Sequence, residues 1–338
     1  TGFNVADSIR GGAGDDTLYG AGGTDTYLYA RGDGNDTIVE TESYDNGIDK
    51  LVLEGINPAS VSLVRNGNDV TLVIAESAPG AGDGGSILLK AELDESYGRG
   101  IEQVVFADGT IWTRADLRLT LLAQASTSGN DTITGFNVAD SIRGGAGDDA
   151  LYGAGGTDTY LYARGDGNDT IVETESYDNG VDKLVLEGIN PASVSLVRNG
   201  NDVTLVIAES APVAGDGGSI LLKAELDESY GRGIEQVVFA DGTVWGRADL
   251  RLRLISAAGT PGNDIINGSN SSDIIAGGAG DDIVNGAGGA DTYLYARGDG
   301  NDTIIESESY DNGVDKLVLQ GISPASVSLV RNGNDVTL

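Results

Sequence analysis

The sequence predicts an all-β chain built from tandem 133-residue units, and three observations lead there. The chain matches itself at an offset of 133. In the first part of each unit an Asp, followed two places later by an apolar residue, recurs every nine residues. The rest of each unit alternates apolar and polar residues around Asn-Gly and Asp-Gly, the signature of strands joined by hairpins.

The repeat is read directly. "TGFNVADSIRGGAGDD" at Thr1 returns at Thr134, and "GNDTIT" at Gly129 returns as "GNDIIN" at Gly262. Residues 1 to 121 and 134 to 254 differ at about six positions, Thr17 against Ala150 and Ile48 against Val181 among them. Two full periods and part of a third are present; "RNGNDVTL" at the end matches 198 to 205 and stops inside a unit, so the chain reads as cut from a longer array. Near-verbatim copying suits a stalk or fibre, which gains length with every copy, better than an enzyme.

The glycine–aspartate halves span about 1–40, 126–173 and 259–306. The second period divides into STSGNDTIT, GFNVADSIR, GGAGDDALY, GAGGTDTYL, the pair Tyr162-Ala163, and RGDGNDTIV. Position six carries Asp131, Asp140, Asp149, Asp158 and Asp169; position eight carries Ile133, Ile142, Leu151, Tyr160 and Ile171. The same register gives Asp7, Asp16, Asp25 and Asp36 in the first block, and Asp264, Asp273, Asp282, Asp291 and Asp302 in the third. A linker does not keep an apolar residue at position eight, and a phosphate cradle needs a Lys and a following helix.

The second halves, 41–125, 174–258 and 307–338, hold less glycine and read as a small antiparallel β module with a short helix. "SVSLVRNGNDVTLVI" predicts a hairpin turning at Asn66-Gly67, "GSILLKAEL" and "IEQVVFADGTIW" predict further strands, and the latter turns at Asp108-Gly109. Thr113, three residues before Asp116, predicts the N-cap of a short helix over "RADLRLTLLA". Val61, Leu63, Val70, Leu72, Ile74, Phe106 and Trp112 form the expected core of this half.

Composition narrows the chemistry. With 53 acidic against 20 basic side chains the formal charge is -33, which disfavours nucleic acid and favours cations. There is no Cys and no His, so disulfides, thiolate or imidazole metal sites and triad catalysis lose their side chains. Neither end reads as a signal peptide, and no apolar run is long enough for a transmembrane segment.

The nonamers resemble the RTX (repeats-in-toxin) nonapeptide GGxGxDxUx, a calcium-binding parallel β-roll repeat. The second halves, ending in "IEQVVFADGTIW", resemble the haemolysin-type calcium-binding-related domain. The resemblance implies that two nonamers make one turn, so that 126 to 134 lies over 144 to 152, 135 to 143 over 153 to 161, and 144 to 152 over 164 to 172. It implies Ca²⁺ between stacked loops, held by the fourteen aspartates above and by carbonyls of the loop glycines Gly12, Gly14, Gly32, Gly34, Gly145, Gly147, Gly165, Gly167, Gly278, Gly280, Gly298 and Gly300. An all-oxygen set suits Ca²⁺ better than Mg²⁺, which keeps its waters. The gap using "GFNVAD" departs from the pattern, with Phe136 and Val138 where the family has glycine.

Other motifs carry two readings each. "ETESYDNGIDK" is either a further calcium site through Asp45 and Asp49 or, preferred, a loop capping the first half. Tyr27, Tyr29, Tyr160, Tyr162, Tyr293 and Tyr295 either stack on carbohydrate or, preferred, close the roll where two extra residues interrupt the nines. Asp94, Glu95 and Asp108 fit a paired-carboxylate glycosidase poorly, since two are sequence neighbours and one sits in a turn. The recurring position-seven Thr is too often replaced for an ice-binding array. The expectation is a non-catalytic, calcium-stabilised repeat region of a secreted or surface protein, as a fibre, adhesin stalk or surface-layer-like assembly that self-associates or stacks on neighbouring repeats. The alternative is the secretion and folding region of a toxin, protease or lipase exported by a type I system.

Overall fold

The computed structural model describes residues 1–40, 47–94, 99–173, 180–227, 232–306 and 313–338. The chain forms two compact units, Thr1–Ser126 and Thr127–Leu338.

In the second unit each nonamer contributes a three- to five-residue strand, and successive strands alternate between two sheets. One sheet begins with Thr132–Thr134, Ala150–Tyr152 and Asn168–Val172; the other begins with Ser141–Arg143 and Thr159–Ala163. All neighbours within each of these sets are parallel, with Thr132 opposite Ala150, Ser141 opposite Thr159 and Ala150 opposite Thr170. These are the three stackings the resemblance implies. The physical cause is period two: position eight points inward, and Ile133, Ile142, Leu151, Tyr160 and Ile171 are all buried.

The sequence left open whether the second half of each repeat stands apart or extends the roll. It extends it. Lys183–Glu187 pairs parallel with Thr159–Ala163, Gly218–Leu222 with Asn168–Val172, and Gln236–Phe239 with Lys183–Glu187. The antiparallel part is confined to the hairpin Val194–Asn199 and Asp202–Ile207, which finishes one sheet, and to Val244–Gly246, which finishes the other. The first unit repeats this topology, with Lys50–Glu54, Gly85–Leu89 and Gln103–Val105 continuing the parallel ladder. In the third repeat Ile265–Asn267, Ile283–Asn285 and Thr303–Ile305 form one sheet, and Ile274–Ala276, Thr292–Ala296 and Lys316–Gln320 the other.

Of the expected core residues Val61, Leu63, Val70, Leu72, Ile74 and Phe106 are buried, and Trp112 is half-buried with its ring edge-on to Phe106 at 4.5 Å. The hairpin turns one residue later than expected. Asn66 pairs with Asp69, leaving Gly67-Asn68 as the loop, with Gly67 at φ 61°. Glycine in the first loop position is the type II′ arrangement. The second hairpin is a three-residue turn closed by Gly109 at φ 86°, whose N–H donates to Phe106 O at 3.0 Å.

The predicted helix is α1, Arg114–Ala125, with Thr113 and Asp116 forming a full capping box. Its counterpart α2, Arg247–Ala258, begins after Gly246, whose N–H donates to Asp249 Oδ2 at 2.9 Å. Ile255 of α2 packs with Ile266, Ile275, Val284 and Tyr293 of the third roll, and Ala258 lies against the same cluster. Arg198, from the second repeat's hairpin, donates to Asn267 O at 2.7 Å and Gly268 O at 2.9 Å. A helix and a guanidinium of one repeat therefore cover the head of the next roll.

Candidate metal centre

The tight loops exist because the glycines allow them. Gly12, Gly14, Gly32, Gly34, Gly145, Gly147, Gly165, Gly167, Gly278, Gly280, Gly298 and Gly300 all take positive φ, between 86° and 138°. Stacked loops also approach so closely that a β-carbon on Gly34, Gly167 or Gly300 would collide with the carbonyl of Gly14, Gly147 or Gly280 in the loop above. The Gly34, Gly167 and Gly300 carbonyls already accept from the Tyr29, Tyr162 and Tyr295 hydroxyls at 2.7, 2.8 and 2.7 Å, and those of Gly34 and Gly167 also accept from Ser86 N and Ser219 N at 3.1 Å, which uses both of their lone pairs.

All fourteen predicted aspartates fall on a ladder two nonamers in rise. Asp131 N–H donates to Asp149 Oδ1 at 2.8 Å, and Asp149 N–H to Asp169 Oδ1 at 3.1 Å. On the other edge Asp140 donates to Asp158 at 2.8 Å. The first block shows Asp7 to Asp25 and Asp16 to Asp36; the third shows Asp264 to Asp282, Asp282 to Asp302 and Asp273 to Asp291. Despite Phe136 and Val138, the "GFNVAD" loop keeps this register.

Pairing between stacked aspartates uses only Oδ1. At the head of a row Oδ2 folds back on its own loop, as in Asp131 accepting from Thr127 N and Asp273 from Ser269 N. Further down, Oδ2 of Asp149, Asp282 and Asp291 is buried and meets no hydrogen-bond donor. Burial, opposed by the Asp149 N–H and reinforced by the Asp149 charge, pushes Asp169 up to about 7. Asp291 rises to about 6 mainly by burial, with the Asp273 charge adding to it. Asp36, Asp149 and Asp302 are raised for the same leading reason. Buried carboxylates stacked with an unused oxygen each are a deficit of positive charge, and a hard divalent cation with six to eight oxygen ligands fits it. The residues that could hold calcium are these aspartates with those glycine-loop carbonyls that keep a lone pair.

Several residues of the ladder lie outside the nonamers. Asp49, Asp182 and Asp315 accept from Asp25, Asp158 and Asp291, and Glu102 and Glu235 accept from Asp49 and Asp182. A signal was present, since Asp49 precedes inward-facing Leu51 by two residues as in a nonamer. Asp45 and Glu95 lie outside the described residues. Asp49 is buried on the ladder. Tyr27, Tyr29, Tyr160, Tyr162 and Tyr293 are interior and present no face to a sugar. Asp108 accepts from Thr110 N at 2.9 Å within its own turn.

The "RTX calcium-binding nonapeptide repeat (4 copies)" family model matches residues 1–38, 126–160 and 258–293, and the "haemolysin-type calcium binding protein related domain" matches 81–116 and 213–249. The chain carries RTX calcium-binding nonapeptide repeats. As an RTX chain it binds Ca²⁺, and its strands form the calcium-binding β-roll that the register above describes. No curated protein matches the sequence. Among solved structures, the extracellular lipase LipA from Serratia marcescens is similar at 17% identity and a TM-score of 0.24, over 65% of this chain and 36% of that one. The fold assignment rests on the strand register and the family models, not on that superposition. Among the described residues no helix is long and apolar enough to cross a membrane.

Proposed function

We propose that this RTX chain is a structural, non-catalytic segment of a secreted or surface protein, in which calcium-stabilised rolls stack end to end as a fibre, adhesin stalk or surface-layer-like assembly. The observation that carries the proposal is the contact of α2 and Arg198 with the head of the third roll. An apolar helix face used this way gives the next repeat a covered end, which is how repeat arrays gain stability from neighbours.

Small-angle scattering of the full-length protein in calcium tests the proposal. A maximum dimension that grows in proportion to the number of 133-residue repeats supports a stalk or fibre. A single repeat array attached to a separate globular catalytic domain supports the other reading, a secretion and folding region of a toxin, protease or lipase.

A further inference from the structure

We propose that each repeat holds a calcium site that reaches beyond the nonapeptide motif, joining the motif aspartate Asp25 to Glu40 and Asp49, Asp158 to Glu173 and Asp182, and Asp291 to Glu306 and Asp315. Within each set, one carboxylate oxygen per residue lies within 4.8 Å of the others. A calcium ion with Ca–O of about 2.4 Å places opposite ligands about 4.8 Å apart, so oxygens grouped this closely fall within the span of one ion's ligand shell.

The glutamate distinguishes this site from the gaps between nonamers. It follows the strand Asn35–Val39 or Asn168–Val172, which belongs to one sheet, while both aspartates lead into strands of the other. An ion here would tie the two sheets together at the point where the nonamers end. Glu40 and Glu173 are buried, and each accepts a hydrogen bond from an interior tyrosine hydroxyl, Tyr27 or Tyr160, which fixes the orientation of the carboxylate. Tyr293 does the same for Glu306.

An independent observation points to a missing cation. Asp291 is 0% exposed, its Oδ1 accepts from Asp273 N, and its Oδ2 has no hydrogen-bond partner. That orphaned oxygen faces Glu306: a β-carbon built on Gly286 would collide with Asp291 Oδ2 and lie 2.9 Å from Glu306 Oε1. Gly20 and Gly153 occupy the same place in the other two sets, next to Asp25 with Glu40 and Asp158 with Glu173. An unsatisfied carboxylate oxygen in this setting is costly unless a cation meets it.

The inference rests on the chain binding calcium, and the test separates the two. Equilibrium dialysis with calcium counts ions per chain for the wild type and for the triple variant Glu40→Gln, Glu173→Gln, Glu306→Gln, in which each amide oxygen can still accept from its tyrosine. Three fewer ions in the variant supports the proposal. An unchanged count overturns it while the nonapeptide sites stand, and no binding by the wild type overturns both. Should the variant not fold in calcium, terbium luminescence decides. Terbium in these sites lies beside Tyr27, Tyr160 and Tyr293, so their substitution by Phe removes the share of tyrosine-excited emission that these three sites contribute. Emission left intact overturns the proposal, with a proton shared between the carboxylates as the remaining explanation.

Discussion

Asp149 N–H donates to Asp169 Oδ1 at 3.1 Å, while the Oδ2 of Asp149 is buried without a donor. One carboxylate thus serves two ends: Oδ1 takes the N–H of Asp131, and Oδ2 is left for a cation. Asp149 borders two gaps of the roll, toward Asp131 above and Asp169 below. Replacing it by Asn keeps the backbone acceptor and removes the charge; replacing it by Ala removes both. Asp149→Asn is expected to raise the calcium concentration at the folding midpoint by about tenfold or more, equivalent to about 1.4 kcal/mol. Asp149→Ala adds the cost of leaving the partly buried Asp131 N–H unpaired, about 1 kcal/mol. Calcium titrations followed by far-UV circular dichroism read both.

The raised carboxylates give a pH dependence whose sign differs with and without metal. Asp169 at about 7 and Asp291 at about 6 lie above the ordinary carboxylate value near 4. Groups raised in the folded state add stability fully present below about pH 4 and lost as pH rises through about 6–7. With chelator present, acidification from about pH 8 to about pH 5 is therefore expected to increase strand content. With calcium the trend reverses: the ion displaces protons, so its apparent affinity falls over the same window. Titrations at the two pH values, with proton release measured in weakly buffered solution, check both signs.

Two nearly identical repeats supply a natural comparison of backbone strain. Gly80 sits at φ 78° and its counterpart Val213 at φ 63°, with Val213 95% exposed. A β-branched residue in the left-handed region costs about 1–2 kcal/mol and here gains little from burial. Val213→Gly is expected to stabilise its repeat by that amount, and Gly80→Val to destabilise the first repeat similarly. Thermal melts in saturating calcium measure the shifts.

Two glycines of one loop are expected to respond differently. At Gly165, φ 88°, an added β-carbon meets nothing within 4 Å, so Gly165→Ala carries only the conformational cost of about 1–2 kcal/mol. At Gly167, φ 104°, the added carbon strikes Gly147 O, so Gly167→Ala also forces the stacked loops apart. Gly167→Ala is expected to lower calcium affinity markedly more than Gly165→Ala, measured by isothermal titration calorimetry.

The roll was legible because its constraint is periodic. An Asp that must meet the loop two nonamers away, and an apolar side chain that must face inward, leave marks at fixed spacing, so Asp131, Asp140, Asp149, Asp158 and Asp169 could be placed without coordinates. The continuation through Lys50–Glu54 and Lys183–Glu187 was less legible. Its loops lack the glycine hexad, and a pair such as Asp49 and Leu51 is too short a pattern to set a register. Glu40 and Glu173 left no signal at all, because their meeting with Asp25 and Asp158 depends on bringing opposite sheets together. The hairpin turn slipped by one residue because Gly67 satisfies either a type I′ turn after Asn66 or a type II′ turn before Asn68, and strand register chose the latter.

The most direct test of the account is anomalous diffraction from crystals grown in calcium, with data collected to reveal the ion. The account predicts a calcium peak flanked by carboxylate oxygens in the gap between Asp149 and Asp169, and in the equivalent gap between Asp282 and Asp302. Loops stacked as described, with no peak there and the carboxylates bonded to one another through a proton, would contradict it.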